Sequence, residues 1–241
     1  MPSLLLIISI ITCLIVLIIL MFGIGSFAKG GKFSKKYSNR LMRWRFILKK
    51  EDEMVILNKI YTKKGDKGST ELGNGEKVKK FSKRVTAYGT VDELNSVIGI
   101  VTSLKIDEYL QRSLVRIQND LFDMGADLCI PIDDKKNNFS PFRFPSEFVI
   151  RLEKEIDLMN SNIEPIRSFV LPGGSKVSSQ LHLCRTTCRR AERCVVELME
   201  IEDLNPEVLK YLNRLSDWFF VSARKYNDNG RDDVLWIPTK N

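Results

Sequence analysis

A single histidine stands in the 241 residues. That scarcity excludes a centre needing two or three imidazoles, such as a His-rich zinc site or a di-iron bundle with paired Glu-x-x-His motifs. Five cysteines are too few for a disulfide scaffold in a chain of this length. Acidic residues are missing altogether before Glu51. This absence locates the formal charge of +8: residues 1–53 hold nine Lys/Arg and three acids, which leaves 29 Lys/Arg and 27 acids for residues 54–241. The second part is nearly neutral at +2, so the basic pI is no argument for a nucleic-acid partner. A hydrophobic fraction of 44% supplies a core and excludes disorder throughout.

The first 53 residues differ in kind from the rest. Leu4 to Phe22 is a run of 19 residues without a charge, about the length that spans a bilayer core. The basic flank from Lys29 to Lys50 comes next, and by the positive-inside rule this flank stays cytoplasmic. A secretory signal peptide fits badly, because no positive segment precedes the apolar run. The stretch Phe27 to Arg45 resembles the small membrane proteins of the hypoxia-induced-domain family, over one helix and its flank. Met54-Val55-Ile56-Leu57-Asn58-Lys59-Ile60-Tyr61 then reads like a fresh protein start. The expected organisation is a membrane helix with basic flank over 1–53 and a helical bundle over 54–241. The junction is either a genuine fusion that tethers a soluble domain or a merge of two neighbouring reading frames.

Residues 60–83 are rich in Gly, Lys and Thr and lack a helical period, which reads as a long ordered loop. Thr90-Val91-Asp92-Glu93 has the capping-box pattern and predicts a helix opening there and running to about Leu104. A second helix is expected from Asp107, with Leu110, Leu114, Ile117, Leu121, Met124 and Leu128 on one face. A third carries Phe148, Leu152, Ile156 and Met159; a fourth is capped by Ser175 and runs to about Ile201. Asn205-Pro206 opens a fifth, with Val208, Leu212, Leu215, Phe219 and Ser222 on one stripe, before a polar tail from Asn227. Five helices without a convincing strand predict an all-α bundle.

Two segments carry chemistry. In Tyr61-Thr62-Lys63-Lys64-Gly65-Asp66-Lys67-Gly68-Ser69-Thr70, glycines let the backbone N–H groups converge, while hydroxyls and lysines add donors and charge. Such a loop can cradle phosphates or can be a solvated basic turn. It is no Walker loop, since Asn74-Gly75 follows Gly73 where Lys-Ser/Thr is required. On the fourth helix, Ser178, Leu181, His182, Arg185, Arg189, Glu192 and Val196 share a face, and Arg190 and Arg193 thicken the cluster. The neighbouring apolar period suggests a helix packed on most sides, where arginine requires a carboxylate such as Asp92 or an anionic ligand. A solvated ion-pair ladder is the plainer alternative. Cys184, Cys188 and Cys194 read as small packing residues rather than metal ligands, and His182 as a satisfied packing residue. Asn213 and Asp217 share a face of the last helix.

The chain resembles the PduO-type corrinoid adenosyltransferases. The likeness lies in Tyr61 to Gly68, Arg84 to Asn95, Phe169-Val170-Leu171-Pro172-Gly173-Gly174, Cys188-Arg189-Arg190-Ala191-Glu192-Arg193 and Asn213-Arg214-Leu215-Ser216-Asp217, in the family's order. The resemblance implies a helical bundle assembled as a homotrimer, with active sites between subunits. It implies transfer of the 5′-deoxyadenosyl group of ATP to cob(I)alamin, with release of triphosphate and with Mg²⁺ accompanying ATP. A non-catalytic carrier of adenosylcobalamin for a mutase would show the same motifs.

By matched position, Thr62, Lys63, Lys64, Gly65, Asp66, Gly68 and Thr70 would surround the polyphosphate, with Lys80 nearby. Arg189, Arg190, Glu192, Arg193 and Asn213 would complete the ATP site. Phe169 matches the aromatic that closes the lower face of the corrin, and Asp92 and Arg185 match an ion pair across the subunit interface. Arg189 and Phe169 are the residues on which catalysis is expected to depend. A flavoprotein or similar reductase and an adenosylcobalamin-dependent mutase are the implied partners, with the catalytic part cytoplasmic and anchored, if at all, by residues 4–22. Lys64 and Thr86 depart from residues common in the family, and the N-terminal segment is the large departure.

Overall fold

The computed structural model describes Tyr61, residues 63–132 and residues 141–239. The apolar run at 4–22, its basic flank, the likeness over 27–45, the junction at Met54 and Thr62 lie outside these residues. The chain divides into two units at Tyr61/Thr62, and the second, Thr62–Asn241, holds every helix and strand of the described residues.

A two-stranded antiparallel ribbon comes first, β1 (Ser69–Glu71) with β2 (Lys77–Lys79), in the register Ser69–Lys79, Thr70–Val78, Glu71–Lys77. Five helices come after it: α1 (Lys83–Thr102), α2 (Glu108–Leu128), α3 (Glu147–Asn160), α4 (Lys176–Met199) and α5 (Pro206–Lys225). The helical bundle expected from the sequence is present. None of these helices is long and apolar enough to cross a membrane, the described residues alone being considered.

Three helix starts arise from capping chemistry. Asp107 accepts from the Leu110 N–H (2.9 Å), Ser175 from Ser178 (3.1 Å) and Asn205 from Glu207 (3.1 Å), each satisfying an orphan donor of the first turn. The α1 start is a correction. Thr90 lies two turns into the helix rather than at the cap: its hydroxyl donates to the Thr86 carbonyl (2.8 Å), the helix begins at Lys83, and Glu93 pairs with Arg190 instead of folding back. A Ser/Thr inside a helix satisfies itself on the preceding turn, so the same four letters serve two geometries. The ribbon is a second correction to the long loop read over 60–83. Leu72 and Gly75 close its turn through Leu72 N–H to Glu76 O and Gly75 N–H to Leu72 O, both 2.8 Å.

Helix α4 is central and packs against α1 and α5; α3 packs against α5 and α2 against α1. The six apolar positions of α2 are at most 1% exposed, as are Leu181, Cys184, Cys188, Ala191 and Val195 of α4. Burying side chains of this size contributes about 1.5–3 kcal/mol each for the larger ones, before entropy is counted. Partly buried ion pairs join α2 and α3: Arg116–Glu155 (2.7 Å) and Arg151–Asp120 bridge the two helices, while the Tyr211 hydroxyl of α5 donates to the buried Asp120 (2.7 Å).

Candidate active site

The glycine-rich segment is a tight turn laid on the ribbon. Gly68 N–H donates to Gly65 O and Lys80 N–H to Gly68 O, each 3.1 Å. Gly68 has φ 73° and Lys63 φ 58°, so the backbone is left-handed at two points of the turn. The Lys80 side chain lies across Gly65: a Cβ there would be 2.8 Å from Lys80 Nζ and would displace the mobile end of that lysine. The structure thus brings Lys80 onto the loop. Lys63, Lys64, Asp66 and Gly68 are exposed, Gly65 and Thr70 half-buried, and Lys64 reaches Glu71 at 3.5 Å. The ribbon is fastened to the end of α2 by Gly73, whose N–H meets the Cys129 carbonyl (3.1 Å) and sulfur (3.0 Å). Burial raises the Cys129 thiol above its usual pKa, so the sulfur accepts as a thiol.

That α2 end is itself held by Arg84, 3% exposed, which donates to Leu128 O and, through Nε (2.9 Å) and a terminal nitrogen (2.6 Å), to Glu202. Sequence reasoning included Arg84 in a matched block without giving it this task. A lone arginine opening a helix carries no local signal of a partner 118 residues away.

The arginines of α4 sit differently from expectation. Arg189, Arg190 and Arg193 are exposed, not buried among packed sides, because Cys188, Ala191 and Val195 take the core-facing positions between them. Arg190 pairs with Glu93 of α1. Among the described residues, Arg189 and Arg193 form no ion pair and no hydrogen bond, although the Arg189 charge acts on the carboxyl of Asp217. Arg185 is half-buried and lies over the Phe220 ring at 6.0 Å, with its Nε unpartnered. Burial, and then the Arg189 charge, lower its pKa below the usual arginine value. Asp92, expected to pair with an Arg185, is exposed on α1, and no such pair forms within one chain.

Glu192 and Asn213 are brought together: the Asn213 amide donates to Glu192 (2.9 Å) and its oxygen accepts from Arg214, which also holds Glu153 (2.8 Å). Burial raises the carboxyl of neighbouring Asp217, opposed by Arg214 and Arg189 and assisted by Glu192. Among the described residues, no hydrogen bond or ion pair joins Arg189, Arg190 or Arg193 to Lys64, Gly65, Gly68 or Thr70. Cys184 and Cys188 are fully buried, and burial pushes Cys184 up to about 12, which agrees with packing rather than ligation. His182 is buried at 3% exposure, as expected, but its Nδ1 has no partner, and burial followed by the Arg185 charge depresses its pKa.

Phe169 lies outside the helices on a segment paired with the C-terminal tail. Among the described residues, this tail departs most from the sequence expectation. It is not a polar appendage: Val170 faces Leu235 in an antiparallel bridge, Leu171 N–H donates to Val234 O (2.8 Å) and Trp236 N–H to Phe169 O (2.7 Å). The tail is fixed by Asp233, whose side chain is 2% exposed and pairs with Arg224 (2.7 Å) while accepting from Asn227 (2.9 Å). Asn227 also receives the Ser175 N–H (3.1 Å), and Gly174, at φ 91°, lies so close that a Cβ would be 2.2 Å from it. The Pro-Gly-Gly sequence therefore lets the chain pass Asn227 on its way into α4. The signal available in sequence was the alternation of Asp232-Asp233 with Val234-Leu235-Trp236, too short to separate from a frayed end.

Residues 60–226 match the cobalamin adenosyltransferase family. A cobalamin adenosyltransferase of Cupriavidus metallidurans is 45% identical over 182 residues, covering 75% of this chain and 95% of the relative. The chain belongs to the cobalamin adenosyltransferase family. A corrinoid adenosyltransferase of Bacillus subtilis is 46% identical over 173 residues, 70% of this chain and 86% of that one. Among solved structures, a phenylalanine-to-alanine variant of the PduO-type ATP:corrinoid adenosyltransferase from Lactobacillus reuteri, complexed with cobalamin and ATP, matches with a TM-score of 0.69 and 42% identity. It covers 74% of this chain and 99% of that one. The blocks singled out in the sequence between Tyr61 and Asp217 fall inside the family match.

Proposed function

We propose that the chain transfers the 5′-deoxyadenosyl group of ATP to cob(I)alamin. The cobalt electron pair attacks C5′, a Co–C bond forms, the C5′–O bond breaks, and its electrons leave with triphosphate. The observation that carries the site assignment is the pair of exposed, unpartnered guanidiniums of Arg189 and Arg193 in a chain of this family. Their neighbour Arg190 is already neutralised by Glu93.

Cob(I)alamin is nucleophilic enough to need no side-chain base, so a chain with one buried histidine can do this chemistry. The protein's work is to bind and orient. Arg189 and Arg193 hold polyphosphate oxygens, since a planar guanidinium engages two at once and offsets the charge growing on the leaving group. Lys63, Lys64, Gly65, Asp66, Gly68 and Thr70, with Thr62 and Lys80, form the other side of the polyphosphate site. Glu192 and Asn213, bonded to each other, fix the α4–α5 wall against which the nucleotide lies. Phe169, 78% exposed, covers the lower face of the corrin and keeps water from cobalt.

Arg185 is half-buried with its Nε unpartnered and Asp92 is exposed, and the two form no pair within one chain. This supports completion of the site by a second copy, in a homotrimer where Asp92 of one subunit meets Arg185 of the next. Among the described residues no three His, Cys, Asp or Glu cluster to hold a metal ion. Mg²⁺ would arrive on the triphosphate oxygens of ATP, and no step is routed through it. A reductase supplies the electron that makes cob(I)alamin, a mutase consumes the product, and the unit works on the cytoplasmic side.

The test is turnover. Purified protein with ATP and chemically reduced cobalamin, kept anaerobic, is expected to give the adenosylcobalamin absorbance change together with one inorganic triphosphate per product. Product binding without triphosphate release would instead make the chain a carrier.

A further inference from the structure

We propose that Trp236 is a positioning residue for Phe169, so that the C-terminal tail sets the aromatic ring facing the corrin. The inference rests on the proposed role of Phe169 at the lower face of the corrin. Phe169 is 78% exposed, and its one ring neighbour among the described residues is Trp236, edge-on with centroids 6.0 Å apart and planes at 61°. Two large aromatics standing in solvent beside each other mark a surface made for an apolar partner. A ring this exposed would rotate freely about χ1 without a neighbour, and would let water in at cobalt as often as it kept water out. An edge-to-face neighbour selects one orientation.

The backbone holds the two rings in step. Trp236 N–H donates to Phe169 O (2.7 Å) and Ser168 Oγ donates to Trp236 O (2.9 Å), so the tryptophan is bonded to the phenylalanine and to its predecessor. Both strands of this pairing are then tied to one point at the end of α5. Arg224 donates to Glu164 O (2.7 Å) upstream of Phe169 and pairs with Asp233 (2.7 Å) upstream of Trp236. The indole has little else to do for stability, being 45% exposed and outside the core.

Three variants of the full chain test this: Trp236→Ala, Trp236→Phe and Phe169→Ala. Each is mixed with cob(II)alamin and ATP, and the four-coordinate Co(II) fraction is read spectroscopically beside the calorimetric ATP affinity and the thermal midpoint. Trp236→Ala is expected to lower the four-coordinate fraction about two- to tenfold, with ATP affinity and midpoint unchanged, and Trp236→Phe to restore most of it. If Phe169→Ala loses the signature while Trp236→Ala keeps it, the positioning role is overturned and the Phe169 reading stands. If Phe169→Ala keeps the signature, both fall together. Equal losses of ATP affinity or midpoint in Trp236→Ala would make it a folding residue and overturn the role.

Discussion

On the α2–α3–α5 side of the bundle, Asp120 and Asp127 are at most 4% exposed, and each is met by an arginine and a second donor. Asp120 takes Arg151 and the Tyr211 hydroxyl; Asp127 takes Arg143 (2.6 Å), the Phe144 N–H (2.7 Å) and Asn205 (2.7 Å). On α4, Arg189 and Arg193 are exposed and form no ion pair or hydrogen bond among the described residues. The same kinds of side chain thus have opposite consequences. Charge buried between helices is satisfied because an unpaired ion there is costly, while charge left unsatisfied at the surface retains its capacity to bind an anion. Stability resides on the first side and chemistry on the second, and variants in each should separate cleanly.

The largest effect belongs to the buried side. Asp127→Ala strands Arg143 and two further donors, and is expected to cost about 3–5 kcal/mol in urea unfolding while the remaining folded protein binds ATP normally. Arg189→Ala should do the reverse. Turnover is expected to fall about a hundred- to thousandfold, equivalent to about 2.7–4 kcal/mol of transition-state stabilisation, with the urea midpoint unmoved. Unfolding in that variant, or loss of ATP affinity in the first, would erase the division.

Gly174→Ala probes the link between the two sides. With φ 91° and Asn227 2.2 Å from the new Cβ, it is expected to cost about 1–3 kcal/mol and to loosen the Phe169 segment. Impaired four-coordinate Co(II) formation at a temperature where the variant is folded would show the two effects together. The smallest effect concerns pH. His182 is buried with its pKa depressed, so the unfolded chain takes up its proton first. The stability this group contributes is present above its unfolded pKa of about 6.5 and is lost as pH falls through the lower folded value. His182→Gln is expected to flatten the decline of the thermal midpoint below that pH; an unchanged slope would assign the decline to carboxylates.

The bundle was legible because long helices with a clear apolar period announce themselves. The α2 face is buried residue for residue, and Asp107, Ser175 and Asn205 cap as their positions imply. Thr90 misled because a capping pattern is local, and whether it caps or continues a helix is decided by the residues before it. The ribbon was hidden by strands of only three residues each. The α4 arginines were legible as a cluster but not as exposed or buried, since cysteine, alanine and valine could sit on either side until α1 and α5 were in place. The tail was illegible for a different reason: Asp233 and Trp236 matter through Arg224 and Phe169, and a pairing across 67 residues leaves no mark in a short polar stretch.

The central claim is that unpartnered guanidiniums on α4 hold the triphosphate. Calorimetry of ATP binding to the full chain, set beside the Arg189→Ala, Arg193→Ala double variant and with tripolyphosphate as competitor, tests it most directly. The expected result is that tripolyphosphate displaces ATP from the unsubstituted chain and that the double variant loses ATP affinity at least a hundredfold, roughly two charge-assisted contacts' worth. Full ATP affinity in the double variant, or indifference of the unsubstituted chain to tripolyphosphate, would contradict it.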